Sequence, residues 1–130
     1  MTVKQLRLVV HAEDYEGALR FFRDVIGMPE EEAYAGDGGA EVTILDAGRA
    51  TLELADPAHA DHVDAVEVGR RVAGHVRVAL EVDDASAATA ALADAGAEVV
   101  AEPTRTPWNS LNARLDGPAG LHLTVFTELG

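Results

Sequence analysis

The 130-residue sequence contains no cysteine, so it has neither disulfides nor thiolate metal sites nor a cysteine nucleophile. It has no apolar run near the about 18 to 20 residues that a membrane-spanning helix needs. Its first ten residues, MTVKQLRLVV, lack the long apolar segment of a signal peptide. These absences lead us to expect a cytoplasmic protein without a membrane partner.

Basic residues are also scarce, with 10 Lys and Arg against 23 Asp and Glu and a net charge of −13. Nucleic-acid binding requires a basic surface, so no nucleic-acid partner is expected. The acidity favours solubility, and the alternative is that it attracts a cationic small molecule. The remaining composition, 48% hydrophobic and 25% charged, is typical of one globular domain.

Two similar stretches of sequence divide the chain into two halves. The stretch LRLVVHAED starts at Leu6, and VRVALEVDD starts at Val76, seventy residues later. Each is followed by apolar residues at helical spacing, in YEGALRFFRDVIG and in ASAATAALADAG. Asp14 and Asp84 are placed to cap the two helices, and a glycine ends each one. Each copy therefore predicts a strand followed by a capped helix that ends at a glycine.

Three further strand-like pieces follow each helix, so each half is predicted to be a βαβββ module. Module one spans 1–55, a linker with a short helix spans 56–74, and module two spans 75–130. The predicted strands are 6–12, 31–35, 40–45 and 49–55, then 76–82, 98–102, 111–115 and 121–127. Two such modules predict a single α+β domain over 1–130, in which a curved mixed sheet surrounds a central cleft and the helices lie outside.

The sequence resembles the vicinal oxygen chelate superfamily, which includes glyoxalase I, extradiol dioxygenases, fosfomycin-resistance proteins and bleomycin-binding proteins. The resemblance covers nearly the whole chain and rests on GALRFFRDVIGM, ATLEL, GHVRVALEVDD, TPWNS and DGPAGLHLTVFTE. It implies a small-molecule ligand in the cleft and, as in the drug-binding branch, a homodimer. Because this superfamily carries many chemistries on one scaffold, the resemblance is specific for fold and not for function.

The resemblance also implies four metal-ligand positions, one on the first and one on the last strand of each module. Here they are Arg7, Glu53, Arg77 and Thr124. A guanidinium stays protonated and has no free lone pair, so arginine cannot coordinate a divalent cation. We therefore expect no metal cofactor at this set. We also expect Glu53 to pair with at least one of the two arginines in the cleft, either in a filled core or beside a ligand anion.

Strand alternation brings further polar side chains to the same predicted face. His11 shares it with Arg7, His75 with Arg77, and His122 with Thr124, while Trp108 lies in the TPWNS loop. The predicted ligand-binding residues are Arg7, His11, Glu53, His75, Arg77, Trp108, His122 and Thr124.

Two classes of function remain open from the sequence. The first is a binding or sequestering protein with a cleft and no metal. The second is an enzyme: a metal-dependent lyase or dioxygenase with ligands displaced to His75, His122 and Glu53, or a metal-free isomerase that uses one of these groups as acid and base. The catalytic residues of such an enzyme are not assigned.

Overall fold

The structure is a computed structural model that describes all 130 residues, Met1–Gly130. It confirms the predicted α+β class, with helices and strands in both halves of the chain. The chain divides into two compact units, Met1–Glu53 and Leu54–Gly130, which are described separately. None of the helices has the length and apolar character of a membrane span.

The first unit begins with helix α1, Tyr15–Leu19, which continues as a π-helical segment over Arg20–Ile26. The side chain of Asp14 caps α1 as predicted, because its Oδ1 accepts a hydrogen bond of 3.0 Å from the Gly17 amide. The helix ends at Gly27, whose φ of 92° lies in the left-handed region that glycine tolerates best.

A hairpin completes the first unit. Strands β1, Glu30–Ala35, and β2, Glu41–Leu45, pair antiparallel around a short turn. The hairpin confirms the two middle strands predicted for module one. It is joined to α1 by a hydrogen bond between the hydroxyl groups of Tyr15 and Thr43.

The first and last strands predicted for module one are absent, so those two predictions were wrong. Residues 6–12 and 49–55 form no strand. A strand is held by backbone hydrogen bonds to a neighbour and by burial of one face. Neither segment is part of a sheet, and Leu6, Leu8 and Leu52 of their apolar sets stay exposed. The two halves therefore share the capped helix, whereas only the second half contains the strand that was predicted to precede it.

The second unit starts with helix α2, Pro57–Glu67, which confirms the helix expected in the linker. It then contains β3, Val78–Glu81, helix α3, Ala85–Asp94, and strands β4, Glu98–Arg105, β5, Ser110–Asp116, and β6, His122–Glu128. Module two thus has the predicted βαβββ order. Asp84 caps α3 by accepting from the amide of Ala87 at 3.0 Å.

The four strands of this unit form one sheet in the order β3-β6-β5-β4, with β3 parallel to β6 and the other pairs antiparallel. The side chains of Ala113, Leu115, Leu123 and Val125 are buried on one face, and α3 packs against β4, β5 and β6. The alternate residues of β5 and β6 are polar except for Phe126. They lie on the opposite face, where α2 contacts β4 and β5.

Candidate functional site

Two of the predicted ligand-binding residues meet on the polar face of the second unit. Arg77 lies just before β3, and its Nη1 donates a hydrogen bond of 2.7 Å to Oγ1 of Thr124 on β6. The register pairs Ala79 with Thr124, which places Arg77 and Thr124 on the same side of the sheet. These are the two residues of module two that the sequence resemblance marked as metal-ligand positions.

A third residue at this place, Arg114, was missed by the sequence analysis. It sits on β5 directly opposite Thr124 and is fully buried, with 0% exposure. Its Nε donates to Oε1 of Glu67 at 2.7 Å, and its Nη2 lies 2.8 Å from Oδ1 of Asp64. The second contact is an ion pair without hydrogen-bond geometry, because Nη2 has no hydrogen-bond partner. One buried cation is thus matched by two buried carboxylates of α2.

Asp64 also ties α2 to the loop that follows it. Its Oδ2 accepts from the amides of Val72 and Ala73 at 2.8 and 2.9 Å, and from Arg71 Nη1 at 3.1 Å. Burial disfavours the charged carboxylate, but the amides of Ala73 and Val72 and the Arg114 guanidinium outweigh it. Together they hold the pKa of Asp64 well below its usual range.

Glu67 extends the buried network along β5. Its second oxygen accepts from Asn112 Nδ2 at 2.8 Å, and the amide oxygen of Asn112 accepts from Ser110 Oγ at 2.6 Å. Ser110 in turn meets the hydroxyl of Thr106 at 2.9 Å. This part of the face is therefore filled by protein groups that satisfy one another.

His122 lies on the predicted face, but both of its ring nitrogens are occupied. Nε2 is 3.1 Å from Arg114 Nη1, and Nδ1 is 2.8 Å from Asp116 Oδ1. Arginine can only donate, so Nε2 must accept and the ring proton must sit on Nδ1. The hydrogen bonds assign His122 as a neutral Nδ1–H tautomer that offers no free nitrogen to a metal or a substrate.

The other predicted site residues are more dispersed. Trp108 is 45% exposed, and its ring centroid is 6.4 Å from that of His62 on α2. His75 is exposed in the same unit. In the first unit His11 and Glu53 are exposed, and Arg7 donates to Gln5 at 3.3 Å.

Of the two predicted partners of Glu53, the structure tests only Arg7. No ion pair joins Arg7 to Glu53 within the first unit. Because residues 6–12 form no strand, the structure does not place Arg7 or His11 on a sheet face. The pairing of Glu53 with Arg77 stays a prediction.

The donor chemistry on the polar face does not fit a divalent metal. The hydroxyl of Thr124 accepts a hydrogen bond from Arg77, and a protonated guanidinium has no lone pair to offer a metal ion. No group of three or more His, Asp or Glu side chains in the chain is arranged to hold a metal ion.

Comparison with known proteins gives a family and a fold. The family model described as Glyoxalase/Bleomycin resistance protein/Dioxygenase superfamily matches residues 4–125. A search of curated proteins finds no match to this chain.

Several solved structures are similar. One is TnmS3, an antibiotic binding protein from Streptomyces sp. CB03234, at 20% identity and a TM-score of 0.57, with 98% of each chain covered. Another is a glyoxalase-related enzyme from Fulvimarina pelagi, at 15% identity and a TM-score of 0.58, covering 97% of this chain and 89% of that one. At such identities the likeness concerns the fold.

Proposed function

Because the chain belongs to the glyoxalase/bleomycin resistance protein/dioxygenase superfamily, we propose that it binds a small organic molecule without the family's usual metal. The observation that carries this proposal is the hydrogen bond between Arg77 and Thr124. Two positions that would supply metal ligands instead bond to each other. The fold shared with an antibiotic binding protein supports a binding role.

The chemistry of this place favours a ligand with an acceptor group, such as a carboxylate. A guanidinium is a planar fork of N–H donors that matches a carboxylate in shape and charge, and that of Arg77 lies on the polar face beside Thr124. Arg114 cannot serve as a second clamp, because it is fully buried and bonded to Glu67, Asp64 and His122. We therefore propose that Arg77 binds the acceptor group of the ligand.

A ligand screen with matched variants tests the proposal. Thermal shift with anionic, neutral and cationic aromatic compounds should select anionic ones, because a ligand that binds only the native state stabilises it. Arg77→Gln should weaken those hits about 10-fold or more, in line with loss of a charged hydrogen bond. Arg105→Gln removes a charge from the exposed side chain of Arg105, bonded to Asn109, and should leave the hits unchanged. Equal loss in both variants would contradict the proposal.

We further propose that the protein is a cytoplasmic homodimer. The family resemblance supports a dimer, and so do the large aliphatic side chains left exposed in the first unit. They include Val3, Leu6, Leu8, Val9, Val10 and Leu52. Exposed aliphatic side chains in this number are typical of a protein with an interaction surface.

A further inference from the structure

We propose a second binding site in the first unit, a groove between α1 and the β1–β2 hairpin that takes a small organic cation. The groove has a volume of about 270 Å³. Its lining consists of Tyr15, Glu16, Leu19, Ala33, Tyr34, Ala35, Glu41, Val42 and Thr43. This inference is independent of the proposed function, whose residue Arg77 lies in the other unit.

The floor of the groove is set by the register of the hairpin. Ala33 pairs with Thr43 and Ala35 with Glu41, so these four residues share one face. The hydrogen bond between the hydroxyl groups of Tyr15 and Thr43 holds the start of α1 over that face. Both alanines nevertheless remain exposed, so α1 covers the floor only in part. The exposed floor thus combines two small apolar residues with the carboxylate of Glu41, and it suits a ring or a short alkyl chain that carries a positive charge.

Charge selects the occupant. Glu16 on α1 and Glu41 on β2 both line the groove, and neither forms an ion pair in the chain. The whole unit, 1–53, has eleven acidic residues against five basic ones, a net charge of −6. A groove lined by apolar and phenol side chains and by unpaired carboxylates favours a cation with an apolar body.

The pKa of Tyr34, which lines the groove, is also affected by a nearby carboxylate. The neighbouring Glu32 carboxylate raises the pKa of the Tyr34 phenol, and Arg7 opposes this effect. Arg7 is thus a base near Tyr34, and we expect its removal to strengthen cation binding only slightly, because the contact is exposed.

The size limits the ligand to a fragment. Pockets for drug-sized molecules have about 300–1,000 Å³, and this groove lies just below that range. A primary amine or amidine on a single ring matches both the volume and the charge.

The test titrates three single-ring probes of similar size, benzylammonium, benzyl alcohol and benzoate, into ¹⁵N-labelled full-length protein at constant ionic strength. Benzylammonium should shift the amide signals of residues 33–35 and 41–43, while the alcohol and the carboxylate should shift them little. The double variant Glu16→Gln and Glu41→Gln should bind benzylammonium about 2- to 30-fold more weakly, as expected for two exposed charge contacts.

The matched control is Glu98→Gln with Glu128→Gln, which removes the same charge from two exposed residues of the second unit. It should keep the affinity of the wild type, and Arg7→Ala should increase it slightly. Equal binding of benzylammonium and benzyl alcohol would overturn the site. An equal loss of affinity in both double variants would also overturn it, and so would signal shifts that occur only at amides outside the groove. Arg77→Gln should leave these shifts unchanged, which separates this test from that of the proposed function.

Discussion

At Arg114, burial and charge act together on the stability of the second unit. The guanidinium is fully buried and is matched by the carboxylates of Asp64 and Glu67. Removing one partner of a buried ion pair is costly, because the remaining charge loses both water and its counter-ion. The residue therefore holds α2 against the polar face of the sheet, although it contacts no solvent.

We expect Arg114→Met to lower the free energy of unfolding by about 3–5 kcal/mol, since it removes the one buried cation that Asp64 and Glu67 share. Urea denaturation monitored by circular dichroism measures the change. Arg105→Met, at an exposed arginine of the same unit, should cost within about 0.5 kcal/mol. If the two variants unfold alike, Arg114 is not buried with its carboxylates.

The depressed pKa of Asp64 makes stability depend on pH in a defined direction. A carboxyl whose folded pKa lies below its unfolded value of about 3.9 stabilises the protein above that pH. The contribution is lost as the pH falls from about 4 toward the folded pKa. Asp64→Asn should therefore flatten the fall in unfolding free energy over this acidic range, as measured by denaturation at successive pH values. A wild-type slope unchanged in the variant would show that Asp64 has an ordinary pKa.

The tautomer of His122 is open to direct measurement. Because Arg114 donates to Nε2, the ¹⁵N spectrum of the histidine ring should show a protonated Nδ1 and an unprotonated Nε2 at neutral pH. Arg114→Lys has a shorter reach and should relax this preference. A wild-type ring protonated on Nε2 would be incompatible with the described hydrogen bonds.

At the scale of elements, the aspartate caps are the feature that the two halves share. Asp14 and Asp84 each accept from the amide three residues on, at 3.0 Å in both cases. Replacing either with alanine should cost about 1 kcal/mol, the typical value of an N-cap. Asn substitutions, which keep the acceptor, should cost much less when measured by thermal unfolding. Equal losses for Asn and Ala would mean that the caps do not act through this bond.

Local signals explain which elements could be predicted. Asp caps, glycine stops and period-two alternation act within a few residues, and they correctly indicated α1, α3, the hairpin and the strands of module two. The first and last strands of module one require a partner that sequence pattern does not supply, and they do not form. Arg114 was missed for a related reason, because its carboxylates are 47 and 50 residues away in the chain.

For the molecule as a whole, the exposed aliphatic residues of 1–12, together with Leu52, predict self-association. A dimer interface typically buries about 800 Å² on each partner and is rich in such side chains. Analytical ultracentrifugation should therefore give a dimer at micromolar concentration. Leu8→Lys together with Val10→Lys should shift it toward the monomer, whereas Val25→Lys together with Val42→Lys, at exposed positions outside those segments, should not. A monomeric wild type would refute the homodimer.

The metal content of untagged protein, measured together with its ligand binding, tests most directly whether the protein binds its ligand without a metal. Elemental analysis should find zinc, nickel, iron and manganese far below one atom per chain. The ligands found by thermal shift should bind equally before and after dialysis against a chelator, because Arg77 and Thr124 bond to each other rather than to a metal. One tightly held metal per chain, with binding lost on chelation and restored by that metal, would contradict the account.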